Sequence, residues 1–224
     1  MPRSSVDRSV QEGPAPPAPP LVAIVDDDED MRSAIAELLL SVGIETASYG
    51  SATALFADGP PDRTSCLILD VRMPGTSGLE LQRQLALEGN MTPIVFLTAF
   101  GDVAMSVQAM RAGAVDFFTK PFRDQALIDA VTHAVALDQD RRQQEVRLQR
   151  CAKRAATLTH REREVFREVA AGRLNKEIAF DLGISLVTVK LHRGQVMRKM
   201  QARSVGELVR LWDMLPRQRY PSRP

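Results

Sequence analysis

Residues 21–32 read LVAIVDDDEDMR: an apolar run, Leu21 to Val25, that breaks directly into acids from Asp26 to Asp30. A short unbroken apolar run is the pattern of a strand buried on both faces, as in a parallel sheet covered by helices. Carboxylates a few ångströms apart disfavour joint ionisation unless something offsets the charge. Either these acids fan out into water, or some of them hold a cation.

Outward from this stretch the pattern repeats. Strand-like runs recur at IETASY (44–49), CLILD (66–70), PIVFLT (93–98) and AVDFFT (114–119). Between and after them lie helix-period segments over 31–42, 51–58, 78–88, 103–112 and 124–137. Ser77 with Glu80 is a capping-box pattern at the start of the third helix, and Asp124 is the expected N-cap of the fifth. Five strand–helix units imply a doubly wound, five-stranded parallel sheet, and the expected strand order is 2-1-3-4-5. The fold class is therefore α/β for residues 21–137.

Residues 1–20 end in GPAPPAPP and read as a disordered, Pro-rich tail. Residues 138–156 are charged and free of Gly and Pro. They extend the fifth helix as a stiff linker, or pair as a dimerising coiled coil. From 157 to 215 the patterning is all-helical: four helices, the first opened by a capping box of Thr159 and Glu162. Residues 216–224 read as a second disordered tail. Cys66 falls inside a strand and reads as a small buried residue, which argues against a disulfide framework. No apolar run is long enough to span a membrane, and no secretory leader pattern opens the chain; a cytoplasmic location is expected.

The overall formal charge is +1. It conceals an acidic front, net −9 over 21–137, and a basic back, net +3 over 138–156 and +7 over 157–224. Such asymmetry suggests two domains with different partners, the basic one suited to nucleic acid.

In a sheet of order 2-1-3-4-5, the carboxyl ends of strands one and three lie side by side at the switch point, where ligands bind. That edge would gather Asp26, Asp27 and Asp70. Mg²⁺ takes oxygen ligands and few direct carboxylates, so it fits such a cluster. Asp28, Glu29 and Asp30 are better placed as solvated residues opening the first helix, where the helix dipole favours negative charge. Thr98 and Lys120 end strands four and five at the same edge. A carboxylate nucleophile, a cation, a hydroxyl and an ammonium together make a site for a phosphoryl group.

The ordered set of Asp26-Asp27, DVRMPGTSG (70–78), LTAFGD (97–102) and KPF (120–122) resembles the receiver domain of two-component response regulators. The resemblance implies Asp70 as phosphoacceptor, Asp26 and Asp27 as the acidic pair, and the main-chain carbonyl of Arg72 as a further Mg²⁺ ligand. It implies Thr98 as the switch hydroxyl, Lys120 as the phosphate-contacting lysine, and Phe117 as the switch aromatic. Phe117 lacks the hydroxyl of a tyrosine, so only packing can report its position.

In the basic half, NKEIAFDLGISLVTVKLHRGQVMRKM (175–200) has the succession helix, tight turn, helix. Ala179 is small enough for the helices to approach, Gly183 suits a left-handed helix end, and Ser185 caps the second helix. Val187, Leu191 and Val196 are expected to face inward. Thr188, Lys190, His192, Arg193, Arg198 and Lys199, with Lys176 of the preceding helix, are the expected DNA contacts. Gly194 interrupts the helix at a cost of about 1 kcal/mol, and close approach to DNA would explain it. LTHREREV, NKEIA and TVKLHRGQVMRKM resemble the LuxR-type helix-turn-helix, and the two halves together resemble the NarL/FixJ family. That resemblance implies a cognate histidine kinase, double-stranded promoter DNA and RNA polymerase as partners. It also implies a homodimer of the phosphorylated form, with Val205, Leu208, Val209 and Leu211 of the last helix as dimerisation residues.

Two rival readings remain. An aspartate-nucleophile phosphatase would want an acid two positions after the nucleophile, where this chain has Arg72. A constitutive DNA-binding protein would not need the complete Asp, Thr and Lys set.

Overall fold

The computed structural model describes residues 19–99 and 101–215. The tail expected over 1–20 lies outside the described residues as far as residue 18, and the tail expected over 216–224 lies wholly outside them. The chain divides into two compact units, one ending at Gln139 and the other starting at Asp140.

The first unit is a parallel sheet of β1 (Leu21–Val25), β2 (Glu45–Tyr49), β3 (Thr64–Asp70), β4 (Ile94–Thr98) and β5 (Asp116–Thr119), in spatial order β2-β1-β3-β4-β5. β1, β3 and β4 are buried along their whole length, while β2 and β5 at the edges are partly exposed. The apolar runs follow from this position, since alternate side chains of a central strand enter two different cores. Ala23, Val25, Leu67, Leu69 and Phe96 pack with Leu55 of α2 (Ala52–Asp58), Leu81 of α3 (Gly78–Leu87) and Ala109 of α4 (Val103–Arg111). Val22, Ile24, Ile68, Val95 and Leu97 pack on the other face with Ile35 and Leu39 of α1 (Glu29–Ser41) and Leu127 and Val131 of α5 (Asp124–Ala156).

Helix starts follow local chemistry. Asp28 is the N-cap of α1 and accepts from the Met31 N–H at 3.1 Å. Ser77 accepts from the Glu80 N–H. Asp124 is not the N-cap of α5 but lies within its first turn, because the backbone already turns at Arg123, whose carbonyl accepts from Ala126 and Leu127. α5 continues without a break to Ala156, so the linker segment is helix.

The second unit contains the end of α5 with α6 (His160–Ala170), α7 (Asn175–Leu182), α8 (Leu186–Met200) and α9 (Val205–Asp213). Its core joins Val165 and Phe166 of α6, Ile178 of α7, Val189, Val196 and Met200 of α8, and Leu208 of α9. The Thr159–Glu162 capping box is fully formed. Trp212 meets Phe166 edge to face, with ring centroids 4.9 Å apart. Cys66 and Cys151 are buried free thiols. Among the described residues, no helix is long and apolar enough to cross a membrane.

Candidate functional site

β1 and β3 are hydrogen-bonded neighbours, with Val25 opposite Leu69. The residues that follow, Asp26 and Asp27 on one strand and Asp70 on the other, therefore leave the sheet side by side. One carboxylate oxygen from each lies within 4.8 Å of the others, and among the described residues this is the acidic or Cys/His group able to hold a metal. Asp26 and Asp70 are buried, while Asp27 is exposed.

Lys120 reaches the same point from the end of β5. Its Nζ donates to Asp26 Oδ2 at 2.6 Å and to Asp70 Oδ2 at 3.4 Å. Burial alone would disfavour the ammonium, but the hydrogen bond and charge of Asp26, with Asp70, outweigh it and raise the Lys120 pKa above its ordinary value. Burial pushes the Asp70 carboxyl above the usual carboxylate range. Lys120 and the Arg72 N–H, which donates to Asp70 Oδ1 at 3.2 Å, offset this only in part, and Asp26 adds repulsion.

Thr98 closes β4 and is wholly buried. Its carbonyl accepts from the Lys120 N–H at 2.8 Å, and it stands opposite Thr119 in the β4–β5 ladder. Phe117 sits opposite Phe96 in that ladder, with ring centroids 6.1 Å apart, and is partly buried against the core. Asp26, Asp27, Asp70, Thr98 and Lys120 thus come together at one rim.

Three residues that build this rim were not singled out from the sequence. Arg32, one turn into α1, donates from Nη1 to the Asp26 carbonyl at 2.6 Å and holds the end of β1. A Cβ at Gly78 would collide with the Asp70 carbonyl oxygen, so α3 starts hard against the end of β3. A Cβ at Gly101 would lie 2.6 Å from the Thr119 side chain, 3.0 Å from the Phe117 ring and 3.3 Å from Thr98. A Gly beside a helix cap and another beside a strand end are the signals that sequence reading had available.

In the second unit, α7 ends at Gly183 in a left-handed conformation, φ 61°, and Ser185 caps α8 by accepting from the Thr188 N–H. Leu174 at the N-cap of α7 supplies no side-chain acceptor; half of a capping box survives as the Leu174 N–H donating to Glu177 at 2.8 Å. Lys176, Lys190 and Arg198 are exposed, and Thr188, His192 and Arg193 are half-buried. Arg193 Nη1 donates to Asn175 Oδ1 at 2.8 Å, tying α8 to α7. A groove of about 570 Å³ opens there, lined among others by Arg173, Asn175, Lys176, Lys190 and Arg193.

Three expectations need correction. Val187 and Leu191 do not face inward; they are 76% and 61% exposed, and Val189 takes the core position that had been expected of them. α8 presents the face carrying Val189, Val196 and Met200 to the core. Lys199 is not a free DNA-facing cation. Its Nζ donates to the buried Glu162 at 2.6 Å and to the Thr157 carbonyl at 3.1 Å. Burial works against the Glu162 carboxylate, but Lys199 and Thr159 outweigh it and hold its pKa below the ordinary range. Leu208, expected at a dimer face, is wholly buried in the core of its own unit, whereas Val205 is exposed and Val209 partly so.

Comparison with known proteins agrees with this geometry. Residues 22–132 match the response regulator receiver domain, and residues 156–212 match bacterial regulatory proteins of the luxR family. The chain is 46% identical to nodulation protein W of Bradyrhizobium diazoefficiens over 195 residues, 87% of this chain and 86% of that protein. It is 43% identical to the transcriptional regulatory protein FixJ of Azorhizobium caulinodans, over 85% of this chain and 90% of that one. Among solved structures, the response regulator StyR matches with a TM-score of 0.78 and 43% identity, covering 88% of this chain and 99% of its own. The chain belongs to the NarL/FixJ family of response regulators, transcription regulators that join a receiver domain to a LuxR-type helix-turn-helix.

Proposed function

We propose that this transcription regulator is switched by phosphorylation of Asp70, with a cognate histidine kinase as donor. The observation that carries the reading is the convergence of Asp70, Asp26 and Lys120 within hydrogen-bond reach at a strand-end rim. Ionised Asp70 supplies the attacking oxygen. Lys120, already bonded to both acids, is placed to meet charge on the incoming phosphoryl oxygens.

The three carboxylate oxygens within 4.8 Å form an all-oxygen donor set, which fits Mg²⁺. Asp26, Asp27, Asp70 and the main-chain carbonyl of Arg72 would hold it. When bound, the ion offsets negative charge on the transferring group.

Once Asp70 carries the phosphoryl group, Lys120 and the Thr98 hydroxyl turn toward it. Thr119, Phe117 and Thr98 fill the space that a side chain at Gly101 would need, so movement of Thr98 or Phe117 repacks the loop before α4. The α4–β5–α5 face then supports a homodimer, helped by Val205 and Val209 in the second unit. Two copies of α8 enter adjacent major grooves of promoter DNA. Lys176, Thr188, Lys190, His192, Arg193 and Arg198 supply the polar contacts, and RNA polymerase reads the result. The work is done in the cytoplasm, and turnover of an external substrate has no part in it.

The test is chemical. The full chain is incubated with Mg²⁺ and a small phosphodonor such as acetyl phosphate, then mapped by peptide mass spectrometry. The phosphoryl group is expected on the peptide holding Asp70 and on no peptide of Asp70→Asn. Uptake elsewhere, or none, contradicts the reading.

A further inference from the structure

Leu79, Gln82 and Leu85 recur at steps of three along α3, and all are buried. Such steps keep side chains on one face of a helix, so an amide stands in a row of leucines. Gln82 is 4% exposed. Its Nε2 donates to the Ala109 carbonyl of α4 at 3.3 Å. Its Oε1 is wholly buried and has no donor among the described residues.

The bond that Gln82 does make goes to an acceptor already served. α4 ends in a closed turn, with Gly113 in the left-handed conformation, φ 92°. The Gly113 N–H donates to the Met110 carbonyl at 3.0 Å, and the Ala114 N–H donates to the Ala109 carbonyl at 3.1 Å. This double bond pattern satisfies the last carbonyls of a helix, so Ala109 has its partner without Gln82. A buried acceptor left without a donor costs more than one ordinary hydrogen bond returns. An apolar side chain of the same size would suit this seam better, and the amide works against the packing around it.

The helix across the seam is lightly held. Ala109 is the one residue of α4 that is fully buried, and Met105 is partly so. Val103, Val107 and Met110 are exposed. Few buried contacts mark a segment that opens at low cost. When the last turn of α4 opens, the Ala114 N–H leaves the Ala109 carbonyl. It is then a free donor beside the Gln82 amide, because Nε2 and the Ala114 N–H converge on that one carbonyl. A half-turn of the carboxamide puts its oxygen where its nitrogen was.

We infer that Gln82 is a two-position latch on α4. In the closed position Nε2 holds the Ala109 carbonyl; in the open position Oε1 accepts the Ala114 N–H. The closed position carries an orphaned acceptor and the open one does not, so the amide lowers the cost of opening and sets how readily α4 repacks. The trigger rests on the phosphorylation reading above, in which the loop before α4 repacks; the latch itself does not.

The experiment is hydrogen–deuterium exchange of the full chain, read by mass spectrometry over α4 and the turn that follows it. Wild type is compared with Gln82→Met and Gln82→Leu, both apolar and of similar size, with and without acetyl phosphate and Mg²⁺. Without phosphodonor, exchange of the last turn of α4 is expected to be roughly three- to tenfold slower in both variants, since opening no longer relieves an orphaned acceptor. Their melting temperature should be equal to that of wild type or higher. With phosphodonor, the segment should exchange faster in wild type and stay slow in the variants at equal phosphorylation of Asp70.

Equal or faster exchange in either untreated variant, or a lower melting temperature in both, assigns Gln82 to ordinary packing and overturns the latch. Equal acceleration of wild type and variants by the phosphodonor also overturns it. Failure of wild type to take up a phosphoryl group removes the phosphorylation reading, and the untreated comparison still decides the latch.

Discussion

The Lys120 ammonium stands 2.6 Å from the Asp26 carboxylate, and both side chains are largely withdrawn from water. This pair joins the end of β5 to the end of β1 across the two strands between them. A buried charge that loses its partner is expensive, because its desolvation is no longer offset. Several consequences for stability and switching follow from this and the neighbouring contacts.

Lys120→Met leaves Asp26 and Asp70 facing each other without a cation. The first unit is expected to lose about 3 kcal/mol of stability in chelator-treated buffer, measured by urea unfolding followed by circular dichroism. Mg²⁺ should restore more stability to this variant than to the wild type, since the acids then have no other counter-charge. An equal or smaller Mg²⁺ effect in the variant would show that the carboxylates do not share a cation.

Asp27 is exposed and makes no contribution to the buried pair. Asp27→Ala should therefore leave metal-free stability within about 0.5 kcal/mol of wild type. It should remove the Mg²⁺-dependent stabilisation, which for wild type reaches about 1.4 kcal/mol at ten times the dissociation constant. Thermal melts across a Mg²⁺ titration measure both. A full Mg²⁺ response in Asp27→Ala would exclude this residue as a ligand.

Lys199 holds the buried carboxylate of Glu162. Lys199→Met should cost the second unit about 3 kcal/mol, and Glu162→Gln about 1–2 kcal/mol. Trp212, the single tryptophan, packs on Phe166 in this unit and reports its unfolding by fluorescence. The folded Glu162 pKa is depressed, so its contribution is present above the unfolded value of about 4.3 and is lost as pH falls through the lower folded value. The gap between wild type and Glu162→Gln should be full at neutral pH and narrow in strong acid. A constant gap would assign the effect to packing.

Gly78→Ala places a methyl against the carbonyl of Asp70. Relief requires the end of β3 or the start of α3 to shift, at about 1–3 kcal/mol. The same shift misplaces the Asp70 carboxylate, so phosphoryl uptake from a small donor should slow. Uptake at the wild-type rate with unchanged stability would mean that the helix start yields freely.

The sheet was legible because strands buried on both faces must be apolar throughout. Leu21–Val25 and Cys66–Asp70 announce central strands, and a parallel order then fixes which ends adjoin. The rim was legible for the same reason: Asp70 and Thr98 end their strands and Asp26 and Lys120 follow directly on theirs, so topology alone brings them together. The face of α8 was not. Val187 and Leu191 are as apolar as Val189, and the choice among them is made by the helices that pack on α8, chiefly α6 and α7, whose packing the helix itself does not encode. The burial of Leu208 is hidden for the same reason, since α9 is short and strongly two-faced and its buried side depends on which helices it meets. Lys199 reads as one more cation in a basic stretch until the fold brings Glu162, 37 positions earlier, against it.

The central claim is that a group added at Asp70 is felt at α8. The direct measurement is the affinity of the full-length protein for a selected duplex at fixed salt, with and without phosphodonor and Mg²⁺, in wild type and in Asp70→Asn. The account predicts at least tenfold tighter binding by treated wild type, and no response in the variant. Equal responses in the two proteins, or tight binding by wild type before treatment, would contradict it.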